Sequence, residues 1–289
     1  MRGETGFCLL VFLLSFLFAT TSFADTPKVL RVSAIPDEVP SELQRIYQPI
    51  AKYLEERVGI PVNFVPVTDY AATVEGLVAG KLDMVWYGGF THVLARIKSN
   101  GTSYAIAMRQ EDAEFHSKFI ANVNSGINSL ADLKGRNFSF GGVGSTSGHL
   151  MPWYYLLQNG INPQKDFKKF SFSGNHDATA KVVESGSVEA GALNESIWAK
   201  LVETKKVDTN KVKVIWTTPA YVDYNWTVRG DLDKNLVEKL RAAFVRLDYN
   251  NPNDRKLLDL HRTKRYIPVT SESIFEGIEK AGLASGLIK

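Results

Sequence analysis

Three consecutive hydroxyl residues, Ser145, Thr146 and Ser147, follow a short β-rich run and precede sequence that is typical of a helix. A glycine-rich turn, Gly141–Gly144, comes before them, and Gly148 comes directly after them. The first turn of a helix has free N–H groups and the positive end of the helix dipole, so it attracts anions. Small residues let backbone N–H groups approach a ligand closely. This pattern predicts a cradle for an anion, although Ser/Thr clusters also occur as ordinary helix caps.

The elements that would position this cradle alternate between strands and helices along the chain. Short β-rich runs and amphipathic runs at helical spacing follow one another from Val29 to Leu247. Such an order predicts two α/β lobes, each with a sheet flanked by helices. Extended crossovers near residues 115–120 and 222–229 would join the lobes. The predicted limits are residues 25–117 and 226–289 for lobe one, and residues 118–225 for lobe two.

Two prolines bear on the predicted helices. Pro49 lies inside a helix predicted over residues 41–58, and it should bend that helix or begin a new turn. Pro152 lies about one turn into the helix if Ser147 is the cap, so this helix either kinks there or begins later.

The N-terminal residues have the layout of a secretory signal peptide. The apolar run over residues 7–19 is too short to span a bilayer comfortably. Ser22 and Ala24 are small residues at positions −3 and −1 of a cut after Ala24. We predict a cleaved signal peptide over residues 1–24 and a periplasmic mature protein that begins at or near Asp25, with an N-terminal anchor as the alternative.

Composition argues against several classes of function. The chain has 289 residues, of which 44% are apolar and 22% are charged, and its formal net charge is +3. A charge this small favours neither nucleic acid nor a membrane surface as a partner. The only cysteine, Cys8, lies in the predicted signal, so the mature chain cannot rely on disulfides. No metal-ligand spacing and no nucleophile-elbow pattern stand out, so we expect no metal, no cofactor and no catalysis.

Motifs along most of the chain resemble, in order, those of the phosphate/phosphite/phosphonate-binding proteins of ABC importers. The central motif is Ser145–Gly148 with the glycine-rich turn before it. The others are a lobe-one tyrosine motif at Asp69–Ala71, a strand-to-turn segment at Asp83–Gly88, a histidine motif at Gly174–Ala178 and a return strand that ends in Arg229.

The resemblance implies a periplasmic-binding-protein fold of type II, in which each lobe has a mixed or parallel sheet with flanking helices. The ligand, a small tetrahedral oxyanion, would lie in the cleft between the lobes. The membrane permease of an ABC importer would be the partner, and the protein would act as a monomer.

The resemblance also implies roles for individual residues. The three hydroxyl residues would bind anion oxygens through hydroxyls and backbone N–H groups. His176 would donate from an imidazole nitrogen across the cleft, and Tyr70 and Tyr87 would close from the other lobe. The alternative for His176 is a buried structural role, and the alternative for Tyr70 and Tyr87 is packing in the core. If His176 binds as the imidazolium, affinity for sulfate or selenate should fall as the pH rises past the ordinary histidine pKa of about 6.5.

Acidic residues near the ligand would decide which oxyanion binds. Family members that bind aminophosphonates hold the ligand amine with acidic residues; here Asn194 or Glu195 lies near one such position and Asp223–Asn225 near another. A bare oxyanion is therefore expected. Phosphate and phosphite carry a proton near neutral pH, which needs an acceptor, whereas a facing carboxylate would repel sulfate and selenate. Asp177, Glu195 and Asn194 are the residues whose placement matters here.

Other ligands and other classes of protein remain open at this point. The run Tyr221–Arg229 also resembles sequences labelled as selenate-binding, so selenate or sulfate is the alternative ligand. A transferase on the same fold would need a paired acid and base at the hydroxyl loop, and a ligand sensor would share the lobe pair. A binder of amino acids or pyrimidines would need an arginine clamp in the cleft, for which Arg109 and Arg229 are candidates.

Overall fold

The computed structural model describes residues 26–289 of the chain. The predicted signal peptide and its cleavage site lie outside these residues. Within them the backbone forms two mixed β-sheets, each flanked by helices, as expected for two α/β lobes. No helix in residues 26–289 is long and apolar enough to cross a membrane.

The elements alternate as the sequence pattern predicts. The strands are β1 (Leu30–Ala34), β2 (Val62–Phe64), β3 (Met84–Tyr87), β4 (Tyr104–Arg109), β5 (Ser117–Asn122), β6 (Asn137–Phe140), β7 (Lys169–Phe172), β8 (Ala190–Asn194), β9 (Val212–Thr217), β10 (Asn225–Val228) and β11 (Tyr266–Pro268). The α-helices are α1 (Pro40–Val58), α2 (Tyr70–Val78), α3 (Gly89–Lys98), α4 (Met151–Gln158), α5 (Pro163–Asp166), α6 (His176–Glu184), α7 (Glu195–Glu203), α8 (Lys234–Val245), α9 (Pro252–Leu260) and α10 (Glu276–Ala284).

Each sheet combines parallel strands with a central antiparallel strand. The sheet of lobe one has the order β11-β4-β10-β3-β1-β2, and that of lobe two has the order β7-β6-β8-β5-β9. In lobe one β1 runs parallel to β2 and β3, β10 runs antiparallel to β3 and β4, and the edge strand β11 is likewise antiparallel to β4. In lobe two β6 runs parallel to β7 and β8, and β5 runs antiparallel to β8 and β9. The central antiparallel strand of each sheet is the one that the chain enters directly from a crossover.

The two crossovers between the lobes lie side by side. Phe115 and Tyr221 form an antiparallel bridge, in which Phe115 N donates to Tyr221 O at 2.8 Å and Tyr221 N donates to Phe115 O at 2.9 Å. Strand β5 begins at Ser117 and β10 at Asn225. The exact lobe limits stay a prediction, but the paired crossovers have the form of a hinge.

Helix α1 continues through its internal proline. It runs without a break from Pro40 to Val58, and no new turn begins at Pro49. A proline inside a helix removes one backbone hydrogen bond. The buried apolar stripe of α1, which includes Ile46, Ile50 and Leu54, packs on lobe one on both sides of that position and keeps the helix continuous.

Candidate anion-binding site

The three-hydroxyl loop opens a helix at the cleft between the lobes. Ser145 is the N-cap, because its backbone is extended and its Oγ accepts from Gly148 N at 2.9 Å. Thr146–Leu150 forms a wide turn, in which Leu150 N donates to Ser145 O at 3.0 Å. Helix α4 continues from it. The cap is therefore Ser145 and not Ser147, and the first amide groups of the turn have no intrahelical partner.

The wide turn also resolves the position of Pro152. Pro152 has no N–H with which to bond the carbonyl of Gly148 four residues earlier. That carbonyl instead accepts from Gly141 N at 2.8 Å. The two glycines lie so close that a Cβ on Gly148 would be 3.0 Å from Gly141 Cα. The glycine-rich turn is thus bonded to the hydroxyl loop, and Pro152 falls in the first turn of α4.

Thr146 joins lobe two to the start of helix α3 in lobe one. Its Oγ1 accepts from Phe90 N at 3.0 Å, and Thr91 Oγ1 in the same helix turn donates to Gly144 O at 2.9 Å. A Cβ on Gly88 would be 2.7 Å from Thr146 Oγ1, so only glycine permits this approach. The Thr146 hydroxyl therefore serves the contact between the lobes, and its backbone amide is the group left for a ligand.

His176 presents one nitrogen to the site as a donor. It is the first residue of α6, which Asn175 caps by accepting from Ala178 N at 2.8 Å. Its Nδ1 faces Asn194 N at 3.4 Å, which places the ring proton on Nε2. Nε2 is buried and has no partner among the described residues. Burial lowers the pKa of His176 to about 3, so the ring is a neutral donor near neutral pH, which argues against binding as the imidazolium.

Tyr70 of lobe one lies against the glycine-rich turn. It is the first residue of α2, and Asp69 caps this helix by accepting from Ala72 N at 2.8 Å. The Tyr70 ring packs on the glycine-rich turn, where a Cβ on Gly144 would be 2.7 Å from Tyr70 Cβ. Its hydroxyl lies beside Ser145, is buried and lacks a hydrogen-bond partner in residues 26–289. Burial raises the pKa of Tyr70 well above its ordinary value, so the hydroxyl stays a neutral donor.

Asp223, in the second crossover, is the carboxylate of the site. Its Oδ1 accepts from Gly89 N at 2.9 Å, while Oδ2 is buried and has no partner in the described part of the chain. Burial raises the pKa of Asp223 to about 7, although the bonds from Gly89 and Thr146 lower it in part. The sequence pattern indicates the segment Asp223–Asn225 without distinguishing Asp223 from its neighbours. The available signal was a single acidic residue in an otherwise uncharged run.

Three buried polar atoms without partners thus surround the helix start: Tyr70 Oη, His176 Nε2 and Asp223 Oδ2. A Cβ on Gly148 would be 3.0 Å from both His176 Cε1 and Ser145 Oγ, which shows how closely these groups gather. Buried polar atoms are almost always hydrogen-bonded in native proteins. Two donors, one acceptor and a helix N-terminus together match a small anion that has a hydrogen of its own to donate.

Tyr87 does not belong to this group. Its hydroxyl donates to Thr73 O at 2.8 Å, and the side chain is fully buried inside lobe one. The prediction that Tyr87 closes on the ligand is therefore replaced by a core role. Strand β3 is buried on both faces, so alternation along the strand could not tell which aromatic side chain reaches the cleft.

Asn194 acts behind the site and not in it. Its Oδ1 caps α7 by accepting from Ile197 N at 2.9 Å, and its Nδ2 donates to Tyr224 Oη at 2.7 Å. Tyr224 in turn donates to Asp37 Oδ2 at 2.8 Å. Because its side-chain amide is already bonded at both ends, Asn194 reaches the site only through its backbone N–H beside His176.

The other acidic candidates lie elsewhere. Asp177 is half-buried and its charged neighbours are Lys200, Lys206 and Glu42. Glu195 accepts from His116 N at 3.0 Å and lies 3.5 Å from Lys118 Nζ. Neither carboxylate joins the group around the hydroxyl loop, because the first turns of α6 and α7 direct both toward other partners.

The arginines considered as a carboxylate clamp have other partners. Arg109 forms two hydrogen bonds of 2.7 Å with Asp112, and Arg229 Nε donates to Asp83 Oδ1 at 2.8 Å. These pairs argue against a binder of amino acids. Residues 26–289 contain no group of three His, Cys, Asp or Glu side chains that could hold a metal ion.

Removing the Thr146 hydroxyl should weaken ligand binding without unfolding the protein. In Thr146→Ala the amide of Phe90 loses its acceptor at the lobe contact, and one hydrogen bond of this kind contributes about 0.5–1.5 kcal/mol. We expect affinity to fall by about tenfold, since about 1.4 kcal/mol is one decade. Calorimetric titration checks this, and Thr146→Ser, which keeps the hydroxyl, is the control that should bind normally. Equal affinity in Thr146→Ala would show that the bond from Phe90 N to the Thr146 hydroxyl does not stabilise the ligand-bound form.

Known proteins resemble this chain over nearly its whole length. The family model described as "ABC transporter, phosphonate, periplasmic substrate-binding protein" matches residues 32–274. The probable ABC transporter phosphite binding protein PhnD1 of Prochlorococcus marinus (strain MIT 9301) is 38% identical over 282 residues, which covers 93% of this chain and 94% of the relative.

Solved structures show the same fold. The structure of PhnD1 from Prochlorococcus marinus in complex with methylphosphonate superimposes with a TM-score of 0.87 at 37% identity, and covers 91% of this chain and 100% of that one. A binding protein component of an ABC phosphonate transporter from Pseudomonas aeruginosa gives a TM-score of 0.81 at 26% identity. This match covers 91% of this chain and 87% of the other. These matches confirm the predicted two-lobe fold of type II and the role of a binding protein that is not an enzyme. The chain belongs to the family of periplasmic substrate-binding proteins of phosphonate ABC transporters.

Proposed function

We propose that the protein binds a tetrahedral phosphorus oxyanion that shares one proton with Asp223, such as phosphite, a small phosphonate or phosphate. The observation that carries this proposal is the free Oδ2 of Asp223, buried beside the hydroxyl loop. A carboxylate that faces an anion is repulsive unless a proton lies between them. Phosphorus oxyanions supply that proton near neutral pH, and sulfate and selenate do not.

The other groups of the proposed site are uncharged donors. Ser145, Ser147 and the amides of the first helix turn face the anion from lobe two, together with His176 Nε2, and Tyr70 Oη faces it from lobe one. A helix N-terminus stabilises negative charge without a lysine or arginine. The names of the relatives support the same class of ligand, since one is a probable phosphite-binding protein and another was solved with methylphosphonate.

The proposed role includes export and delivery. A signal peptide over residues 1–24 would be removed after Ala24, and the mature protein would act as a monomer in the periplasm. Ligand would draw the two lobes together about the paired crossovers, over the proposed limits of 25–117 with 226–289 and of 118–225. The closed form would then pass the ligand to the membrane permease of the importer.

A panel of oxyanions tests the proposed ligand class. The mature protein is titrated calorimetrically with phosphite, methylphosphonate, phosphate, sulfate and selenate between pH 6 and pH 9. Selenate keeps its charge over this range, so it binds the form in which Asp223 is protonated. Because the pKa of Asp223 is about 7, that form is abundant below pH 7 and is lost above it.

We therefore expect selenate affinity to fall by about tenfold for each pH unit above 7, until the pKa of Asp223 in the complex is reached. Phosphite or a phosphonate should bind more tightly than selenate throughout, because these anions share the proton more strongly. Selenate that binds as tightly as phosphite at pH 8, with no pH dependence, would contradict the proposal.

A further inference from the structure

Helix α7 of lobe two carries a lysine that is buried against lobe one. Lys200 Nζ lies 2.7 Å from Glu42 Oε2 and also bonds Glu38 Oε2. Glu38 precedes α1, and Glu42 lies in the first turn of α1. Lys200 is only 7% exposed. The interlobe ion cluster, which is Lys200 with Glu38 and Glu42, thus exists only while the two lobes are in contact.

Lys200 is the buried cation among the carboxyl groups that surround the cluster. Asp177 of α6 lies near the same carboxylates, and burial raises the pKa values of both Asp177 and Glu38. Burial alone would also raise the pKa of Glu42, but its bonds to Lys200 and Arg45 lower it to about 2. Without the ammonium group of Lys200, closing the lobes would bring the buried Glu38 beside the partly buried Glu42 and Asp177. Within residues 26–289, only the exposed side chains of Arg45 and Lys206 would then offset their charge.

The loop that carries Glu38 also supports the anion site. Asp37, the residue before Glu38, accepts from His176 N at 3.0 Å through its backbone carbonyl. The carboxyl group of Asp37 also accepts a hydrogen bond from the Tyr224 hydroxyl. The position of this loop against lobe two therefore fixes the first turn of α6, from which His176 Nε2 faces the site.

Separated lobes leave all these charges in water, so closure must remove their hydration. A buried charge is tolerated when it is paired and hydrogen-bonded, and it is strongly unfavourable when its partner is removed. The apparent affinity of a ligand is its intrinsic affinity scaled by the fraction of protein in the competent conformation. The charge pairing therefore acts on closure, and through closure on binding.

We propose that Lys200 is a positioning residue for ligand binding: by pairing with Glu38 and Glu42 it sets the fraction of protein with closed lobes, and so the affinity, without touching the oxyanion. This inference rests on the proposed binding site between the lobes. It concerns the residues that control closure and not the identity of the anion.

Titration of charge variants tests the effect on affinity. Lys200→Met should weaken phosphite binding by about tenfold or more, because the closed fraction falls. Lys200→Arg, which keeps the charge, should restore most of the affinity. Lys206→Met is the matched control, since Lys206 Nζ is exposed and lies 3.9 Å from Glu42 Oε1, and it should bind within about twofold of the wild type. Equal affinities in Lys200→Met and the wild type would overturn the proposal.

A distance measurement separates closure from a general loss of structure. The only native cysteine is Cys8, which precedes the predicted cut, so exposed Lys52→Cys in lobe one and Lys134→Cys in lobe two give two unique label sites. With a spin label on each introduced cysteine, pulsed electron paramagnetic resonance should show that phosphite shortens the distance between the two labels. Lys200→Met should shift the population toward the longer distance at each phosphite concentration. Identical distributions in both proteins would refute the role of Lys200.

Two further experiments separate a failure of the proposed ligand, or of folding, from a failure of the role of Lys200. Selenate is titrated in parallel, because closure by selenate but not by phosphite would reject the proposed ligand while still reporting on Lys200. If Lys200→Met does not fold, Glu38→Gln with Glu42→Gln leaves the lysine buried without its partners and should also favour the open form. A double variant that closes as the wild type does would count against the inference.

Discussion

Replacing Asp223 by asparagine is expected to narrow the preference for phosphite over selenate by about a hundredfold at pH 8, which corresponds to about 2.7 kcal/mol. The introduced side-chain amide could turn its N–H toward a fully ionised oxygen, so a dianion would no longer meet a carboxylate. The bound proton, which phosphorus oxyanions share with Asp223, would no longer be required. A charged hydrogen bond contributes about 1.5–3 kcal/mol, and the relief of like-charge repulsion adds to this change.

The pH profile of the same variant is an independent signature. In the wild type selenate affinity should fall above pH 7, as Asp223 loses its proton. In Asp223→Asn this fall should largely disappear, because the other buried carboxyl group with a pKa of about 7, that of Asp37, lies behind the site and accepts from the Tyr224 hydroxyl. Asp177→Asn is the matched control, because Asp177 faces the lysines of the lobe interface and should leave the selectivity ratio unchanged. A variant Asp223→Asn with the selectivity and pH profile of the wild type would show that another group carries the proton.

Adding one methyl group at Gly144 should have the second large effect. A Cβ there would be 2.7 Å from Tyr70 Cβ and 3.1 Å from Tyr70 Cγ, which is closer than carbon atoms pack. These atoms lie next to the backbone of α2 and cannot rotate away. Every close contact of this methyl group is with lobe one, so Gly144→Ala should fold normally yet resist closure. We expect affinity to fall by about tenfold to a hundredfold, as overpacking typically costs about 1–3 kcal/mol.

Gly277→Ala is the control for this substitution. A Cβ at Gly277, in α10, meets nothing within 4 Å, so the variant should bind as the wild type does. Thermal unfolding without ligand should give similar midpoints for Gly144→Ala, Gly277→Ala and the wild type. Calorimetry should then show the loss of affinity in Gly144→Ala alone. If Gly144→Ala binds normally, Tyr70 does not seal the site in the bound form.

Both substitutions address a proposed site whose groups are largely neutral. The donors are hydroxyls, amides and an imidazole that burial keeps neutral, and the one carboxyl group has a pKa of about 7. In the proposed complex one proton lies between this carboxyl group and the ligand. The net charge of the complex is the same whether the carboxyl group or the ligand holds that proton. Discrimination then depends on the basicity of the anion, which separates phosphorus oxyanions from sulfate and selenate of nearly the same shape.

Local features of this protein were determined by the sequence alone. The hydroxyl loop was recognisable because a strand, a glycine turn and a helix start follow one another within Phe138–Tyr155. Neighbouring residues set their own backbone there, so the cap and the free amide groups depend on few distant contacts. The alternation of strands and helices likewise predicted two α/β lobes, and the ordered motifs predicted the family.

The choice of side chains around the proposed site was decided only by the tertiary structure. Tyr70 and Tyr87 both had suitable motifs, yet the hydroxyl of Tyr87 is bonded to Thr73 and that of Tyr70 reaches the cleft. Asp177 was the carboxylate nearest in sequence to His176, but the carboxylate that lies at the hydroxyl loop is Asp223, in the returning crossover. These outcomes depend on how two lobes and two crossovers meet, and the interactions involved join residues far apart in the chain. Such contacts leave no periodicity or local pattern, because the packing of one lobe against the other selects them.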